Sequence, residues 1–390
     1  MTVPGAGAGP DESYAGPPPF QRPGPDQLPP APWAVGPPPP GWVPPPPGWG
    51  PPPPGWGPPP PTGWGPPGPP QVAWAPPPGT PPHDEPKPFL HAMRSRDWAW
   101  WRPAVGLLLL AVVFGVAGAV LGVIGILTGI SPDLTLGDLT DPGVLLVTNA
   151  TLVVGIPVVW LAWAVAHGMR PGWSSSVLAR LRWRLLPRFT LLAFLSLGLA
   201  IGLAVVLDLA TGEGEVEGPV PGWGWLLAVV LLTTPLQSAA EEYLFRGYLS
   251  QAIAGWVRSP AVGAVLAALI TAALFSLAHL PPDLITFLDR FAFALAASAV
   301  VWLTGGLEAA IVLHAVNNVV VFLLAALLGG GVATESLPEG ASVLPLLIGL
   351  AGTAAYVGLV ARWRRRGKPE TRTAAQDLRE PFLPAPVPAA

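Results

Sequence analysis

The chain has 390 residues, no cysteine, 56 prolines and a formal net charge of −3, and 51% of it is hydrophobic. The absence of cysteine excludes disulfides, thiolate metal sites and a cysteine nucleophile. The charge sum excludes little, because acidic and basic residues are segregated along the chain. Arginine outnumbers lysine eighteen to two, a bias suggestive of a GC-rich bacterial genome.

Residues 1–88 hold most of the prolines and a degenerate Pro-Pro-Pro-Pro-Gly-Trp repeat, with Trp42, Trp49, Trp56 and Trp64. Proline at this density excludes helix and sheet and favours polyproline II. With few aliphatic side chains the segment cannot bury a core, so a disordered cytoplasmic tail is expected. One functional reading is a ligand for a proline-recognition partner, or a self-associating or membrane-touching tryptophan ladder. The simpler reading, a tether without a fixed partner, is preferred. No charged-then-apolar leader opens the chain, so no cleaved signal peptide is expected.

From Arg94 onward several apolar stretches approach or exceed the 18 residues or so that span a bilayer. Eight spans are predicted, at 104–128, 143–166, 188–209, 224–250, 261–280, 286–303, 307–328 and 341–361. The fold class is therefore an all-α polytopic membrane protein of about eight transmembrane helices behind a disordered Pro/Gly/Trp-rich tail. The loops alternate in charge. Arg94, Arg96 and Arg102 precede the first span, and Asp133, Asp138 and Asp141 follow it. Arg170, Arg180, Arg182, Arg184 and Arg188 give way to Asp208, Glu213, Glu215 and Glu217. Arg258 follows the fourth span, Glu335 and Glu339 the seventh, and Arg362 to Lys368 the eighth. By the positive-inside rule this places both termini in the cytoplasm of a multi-pass cell-membrane protein. The weak point is the sixth span, which carries Asp289 and Arg290.

Within these spans the polar groups are few. Glu241-Glu242-Tyr243-Leu244-Phe245-Arg246 lies late in the fourth. An ionisable side chain in lipid costs roughly 2.5–3.5 kcal/mol or more, so these groups should face protein or a wet cavity. On a helix Glu242 and Arg246 are i,i+4 neighbours in the favoured order. Glu241 points about 100° away. One carboxylate can be held by the arginine while the other stays available; a purely structural ion pair is the bland alternative. His83 and His91 lie in the tail or its junction, and His167 ends the second span. His279 closes Phe275-Ser276-Leu277-Ala278-His279 in the fifth span, and His314 opens His314-Ala315-Val316-Asn317-Asn318 in the seventh. Asn318 lies one turn from His314 and shares its face. A lone intramembrane histidine is often just hydrogen-bonded to a neighbouring helix. Two histidines, an asparagine and a carboxylate pair on three helices imply a shared cavity.

A glutamate beside a histidine can hold and deprotonate a water, and a second histidine with an amide suits an oxyanion. That set suffices for peptide-bond hydrolysis. Glu241, His279 and His314 could instead bind zinc, although no HExxH helix or Gly-x-Ser-x-Gly elbow is present. Straight perpendicular helices counted from Trp225 and from Val262 would leave Glu241 and His279 at different depths. A break at Pro235, or tilt, is one way to reconcile them.

Glu241-Glu242 with Arg246, Phe275…His279 and His314…Asn318 together resemble the three motifs of the CPBP family, which includes type II CAAX prenyl endopeptidases and bacteriocin-processing or immunity proteins. Phe245-Arg246-Gly247-Tyr248-Leu249 and Thr304-Gly305-Gly306-Leu307 fit as well. The resemblance covers residues 222–328, leaving three helices within 89–221, an eighth at 329–361 and a basic, then Pro-rich, tail at 362–390. It implies an intramembrane endopeptidase in which Glu241 is the general base and His279 helps to hold the water. His314 and Asn318 would stabilise the oxyanion, and Glu242 with Arg246 would be the supporting pair. A metal-free mechanism without cofactor is preferred, zinc on Glu241, His279 and His314 being the alternative. The substrate would be a membrane-associated peptide or protein reached from the lipid bilayer, with no nucleic acid involved. A non-catalytic binding or immunity protein of the same fold is the competing reading. A transporter is a more distant third, because no inverted repeat of broken helices is visible.

Overall fold

The computed structural model describes residues 79–131, 138–211, 216–329 and 343–378. The Pro-Gly-Trp repeat, Glu213, Glu215, Glu335, Glu339 and the Pro-rich C-terminus lie outside the described residues.

Among the described residues, eight helices are long and apolar enough to cross a membrane. They are α1 (Arg102–Leu127), α2 (Pro142–His167), α3 (Trp183–Thr211), α4 (Trp223–Trp256), α5 (Pro260–Ala278), α6 (Leu284–Thr304), α7 (Glu308–Leu328) and α8 (Leu344–Gly367). Among the described residues there is otherwise only short 3₁₀ structure and two isolated bridges, Pro88 with Arg372 and Ser176 with Gly306. The chain is an all-α, multi-pass membrane protein.

Caps and punctuation explain most boundaries. The Asp141 carboxylate accepts from Gly143 and Val144 to open α2, and Asp283 accepts from Thr286 to open α6. Gly168 and Gly305, at φ 63° and 72°, end α2 and α6 in the left-handed conformation that favours glycine. Two helices run further than hydropathy predicts. α8 continues to Gly367 through Arg364, Arg365 and Arg366, whose charges suit the negative end of the helix dipole. α4 continues to Trp256 through a π-turn at Phe245–Leu249. Pro235 sits inside α4 without ending it.

Lipid-facing and core-facing surfaces separate cleanly. On α1, Leu108, Val112, Val116 and Val120 recur every fourth residue and are 52–65% exposed. That stripe is what a bilayer would cover. The interior is lined with small residues: Ala252 and Ala254 of α4, Ala264 and Ala267 of α5, and Ala294 and Ala297 of α6 are buried. Small side chains let helix backbones approach closely, the usual way to pack where lipid offers no hydrophobic drive. α4 packs mainly against α7 and α2, α5 against α6, and α8 against α3 and α6. The helices alternate in direction, so the turns bearing Arg170, Arg182 and Arg258 share one end of the bundle. Asp138, Asp208 and Glu217 mark the other.

At the arginine-bearing end Arg182 and Glu308 form a pair that is almost wholly buried. Nε and Nη2 of Arg182 donate to the two oxygens of Glu308 at 2.9 and 2.7 Å, and Nη1 donates to the Glu370 carbonyl at 2.9 Å. Gly306 passes directly over this pair. A Cβ there would lie 2.6 Å from both Arg182 Nη2 and Glu308 Oε2, which no side chain can accommodate. The chain beyond α8 runs back across this end and pairs with the segment before α1. Thr373 N donates to the Lys87 carbonyl at 2.9 Å, and Gln376 N to the His83 carbonyl at 2.9 Å.

Candidate active site

α4 supplies three of the predicted residues on successive turns. Glu242 and Arg246 are fully buried and bonded, Arg246 Nη1 donating to Glu242 Oε1 at 2.8 Å. Arg246 Nη2 donates to the Ala294 carbonyl of α6 at 2.9 Å. The guanidinium also lies 5.0 Å from the centroid of the Phe275 ring, so it touches α5 as well. Arg246 belongs to the π-turn Phe245–Leu249. Such turns are uncommon and recur at functional sites, where one extra residue re-aims the side chains that follow.

Glu241 points to a different neighbourhood. Its Oε1 accepts from Gln237 Nε2 at 2.5 Å, one helical turn earlier. Its Oε2 is buried and has no hydrogen-bond partner among the described residues. That oxygen lies 3.7 Å from His314 Nε2 and 3.9 Å from His279 Nε2. Both separations exceed hydrogen-bond range but suit one small atom placed between the groups.

The two imidazoles are held from behind. His279 Nδ1 lies 2.7 Å from the Phe275 carbonyl, and His314 Nδ1 lies 3.0 Å from Glu242 Oε1. Both partners are acceptors, so in each neutral ring the proton sits on Nδ1 and the Nε2 lone pair faces Glu241. The His314 ring packs edge-on against Phe275 and Phe293, with centroids 5.6 Å away in each case. The His279 ring lies against Phe275, with centroids 4.5 Å apart and planes tilted by 43°. Its backbone is held by Arg290 of α6, which donates to the His279 carbonyl at 3.2 Å. His279 is the open member of the group, with its side chain 34% exposed against 3% for His314.

Asn318 joins the site indirectly. Its Nδ2 donates to Gln237 Oε1 at 3.3 Å, and its Oδ1 accepts from Asn317 at 3.0 Å. Asn318, Gln237 and Glu241 thus form a chain of side chains. Gln237 is the site residue that hydropathy and motifs left unnoticed. A signal existed, since it is a lone amide one turn before Glu241 on the same helix face.

The depth mismatch predicted for Glu241 and His279 is small. α4 and α5 form a hairpin, and both residues are reached from its shared turn. Glu241 lies 256 − 241 = 15 residues before Trp256, and His279 lies 279 − 260 = 19 residues after Pro260. At ~1.5 Å per residue the heights are about 22 and 28 Å. The extra turns of α4 up to Trp256, rather than a break at Pro235, cut the difference to about one helical turn, which the side chains bridge: Glu241 Oε2 and His279 Nε2 lie 3.9 Å apart.

The donor set also has the chemistry of a zinc site, because metal-bound histidines typically donate their second nitrogen to a carbonyl or carboxylate. As the groups stand, Glu241 Oε2 lies 3.7 and 3.9 Å from the two Nε2 atoms, and no group of three or more His, Asp or Glu that could hold a metal is found among the described residues.

The geometry agrees with what this stretch of chain is similar to. Residues 223–320 match the family model described as type II CAAX prenyl endopeptidase Rce1-like. Among curated proteins, the uncharacterized protein YyaK of Bacillus subtilis (strain 168) is 28% identical over 195 residues, 48% of this chain and 63% of that protein. The chain thus spans less than two thirds of that relative's length. No solved structure matches it. The matched stretch contains Glu241, Glu242, Arg246, His279, His314 and Asn318, so the similarity to the Rce1-like, type II CAAX prenyl endopeptidase model falls on the helices that build this site.

Proposed function

We propose that the chain is an intramembrane endopeptidase that hydrolyses a peptide bond with water activated by Glu241. The observation that carries this reading is the Glu241 Oε2 atom, buried without a partner and 3.7 and 3.9 Å from two imidazole nitrogens. A water between them would donate one hydrogen to Oε2 and the other to a histidine Nε2. Glu241 removes a proton as the water oxygen attacks the scissile carbonyl carbon. The same proton passes to the leaving nitrogen as the C–N bond breaks. Gln237, donating to the other carboxylate oxygen, fixes the direction in which Oε2 points.

Oxyanion stabilisation needs donors, and a neutral His314 presents only a lone pair. Protonated at both nitrogens, it would keep Nδ1–H on Glu242 and donate Nε2–H toward the oxyanion. This resembles the way the acid of a serine-protease triad holds its imidazole. Glu242 therefore has a second task besides pairing with Arg246. Asn318 has one amide hydrogen engaged on Gln237 and a second for the oxyanion. If zinc is bound, Glu241, His279 and His314 would hold it, and it would supply Lewis acidity. Chelation of the purified protein, followed by metal analysis, separates the two mechanisms.

The substrate is proposed to be a membrane-associated peptide or protein that enters where α5 ends. There His279 is partly open and Leu280 is 85% exposed. We also place both termini in the cytoplasm, because the arginine-bearing turns share one end of the bundle. The test is comparative membrane proteomics of wild-type and Glu241→Ala cells. A peptide cut only in wild type supports the enzyme. Identical peptide sets would favour a non-catalytic binding or immunity protein of the same fold.

A further inference from the structure

At the arginine-bearing end, the segment before α1 and the turn between α4 and α5 enclose a polar cavity of about 280 Å³. Four cationic side chains line it: Lys87, Arg94, Arg96 and Arg258. Two of these are already neutralised within the wall. Arg96 Nε donates to Asp84 at 2.5 Å, and Lys87 Nζ lies 2.9 Å from Glu85. Arg94 and Arg258 are not. Among the described residues neither guanidinium meets a carboxylate or a carbonyl; Arg94 lies 4.5 Å over the Trp98 ring, and Arg258 is exposed. The cavity therefore holds two unmatched positive charges. His91, also in the wall, adds none: burial, with Arg94 and Lys87 nearby, pushes its imidazole down to about 4.

The surroundings say which anion fits. Trp100 and Trp101 precede α1 and are 70% and 46% exposed. Trp256 ends α4 at 42% exposed and donates from Nε1 to the Trp100 carbonyl at 2.7 Å. Clustered, exposed tryptophans at the ends of apolar helices mark the level of lipid headgroups. Guanidinium groups match phosphate through paired N–H donors. A basic pocket at this level, at the ends of spanning helices, is suited to capture anionic headgroups.

We propose that this cavity is a phosphate-binding site, with Arg94 and Arg258 as its ligand-contacting residues, occupied by the headgroup of an anionic phospholipid. The site is distinct from Glu241 and its histidines and does not depend on the proteolytic reading. The test uses full-length protein in phosphatidylcholine nanodiscs with or without phosphatidylglycerol. Native mass spectrometry follows the lipids retained, and thermal unfolding is measured with and without inorganic phosphate. Wild type should retain phosphatidylglycerol over phosphatidylcholine. Arg94→Gln and Arg258→Gln should each weaken that retention roughly fivefold, the loss expected for one basic group at a membrane surface. Arg258 is exposed, so its replacement should leave folding intact, and Arg258→Lys should restore part of the preference. Arg170→Gln, an exposed charge outside the cavity, should change nothing. Protection by inorganic phosphate alone, dependent on the same two arginines, would keep the phosphate site and assign it a soluble ligand. No preference with either probe, or equal loss in Arg170→Gln, overturns the proposal.

Discussion

Among the described residues two buried glutamate–arginine pairs stand in this bundle, and they differ in how completely they are satisfied. In the Arg182–Glu308 pair each carboxylate oxygen accepts a hydrogen bond, and Nε, Nη1 and Nη2 of the guanidinium all donate. In the Glu242–Arg246 pair, Glu242 Oε2 and Arg246 Nε have no hydrogen-bond partner among the described residues, and neither has the adjacent Glu241 Oε2. Buried polar atoms are nearly always paired, and exceptions need an explanation. The first pair behaves as a clamp that joins the α2–α3 connection, the start of α7 and the chain beyond α8. The second leaves bonding capacity unused beside two histidines, which is what a site that must still accept water and substrate requires.

The largest expected effect is on the open side of that comparison. Glu241→Gln keeps the size of the side chain but removes its basicity, so turnover should fall by about 10²–10⁴, the usual contribution of a general base. The fold should survive, because the glutamine amide oxygen can still accept from Gln237 Nε2 in place of Glu241 Oε1. Residual turnover near wild type in a purified-protein assay would remove Glu241 from the base role.

Glu308→Gln attacks the satisfied pair and strands Arg182 in the interior. Breaking a buried pair costs roughly 3–5 kcal/mol, so the loss should appear as poor expression or a lowered Tm. If the variant unfolds like wild type, Arg182 has found another partner and the clamp assignment fails.

Glu242→Gln should do some of both. It weakens the bond to Arg246 and leaves His314 Nδ1 without its carboxylate. A stability loss at the low end of that same ~3–5 kcal/mol range, with turnover reduced in the protein that does fold, is the expected result. Stability loss alone, with undiminished turnover per folded molecule, would show that His314 needs no help from Glu242.

Gln237→Leu removes the hydrogen bond to Glu241 Oε1 while retaining bulk. A hydrogen bond to a charged group contributes about 1.5–3 kcal/mol, so turnover should drop roughly 10- to 100-fold. Turnover per folded molecule that stays at the wild-type level would leave Gln237 a purely structural residue.

The smallest effect is expected from the tail. A chain starting at Gly79 should unfold and cleave like the whole protein. One starting at Phe89 loses Asp84 from Arg96 and the His83 and Lys87 carbonyls from the C-terminal segment, and should unfold earlier. Equal Tm values for the two would show that the pairing of the two end segments adds nothing to stability.

Much of this was legible in the residues alone. Eight apolar stretches, bounded by charge and by proline or glycine, had to be helices, because a backbone in lipid must bond to itself. Glu241, Glu242, His279 and His314 had to face inward, because charge and imidazole are costly in lipid. The Glu242–Arg246 bond followed from their i,i+4 spacing. What one dimension could not supply was depth and partnership. Glu241 and His279 come within reach of each other because α4 runs on to Trp256, a length that hydropathy underestimates where Ser250 and Gln251 are buried in protein rather than exposed to lipid. Arg182 finds Glu308 across 126 residues, and Asn318 finds Gln237 across 81. Such contacts depend on which helices become neighbours, and hydrophobic burial is non-directional, so composition and periodicity do not encode that choice. Only the packed bundle decides that one carboxylate oxygen of Glu241 is held by Gln237 while the other is left free between two histidines.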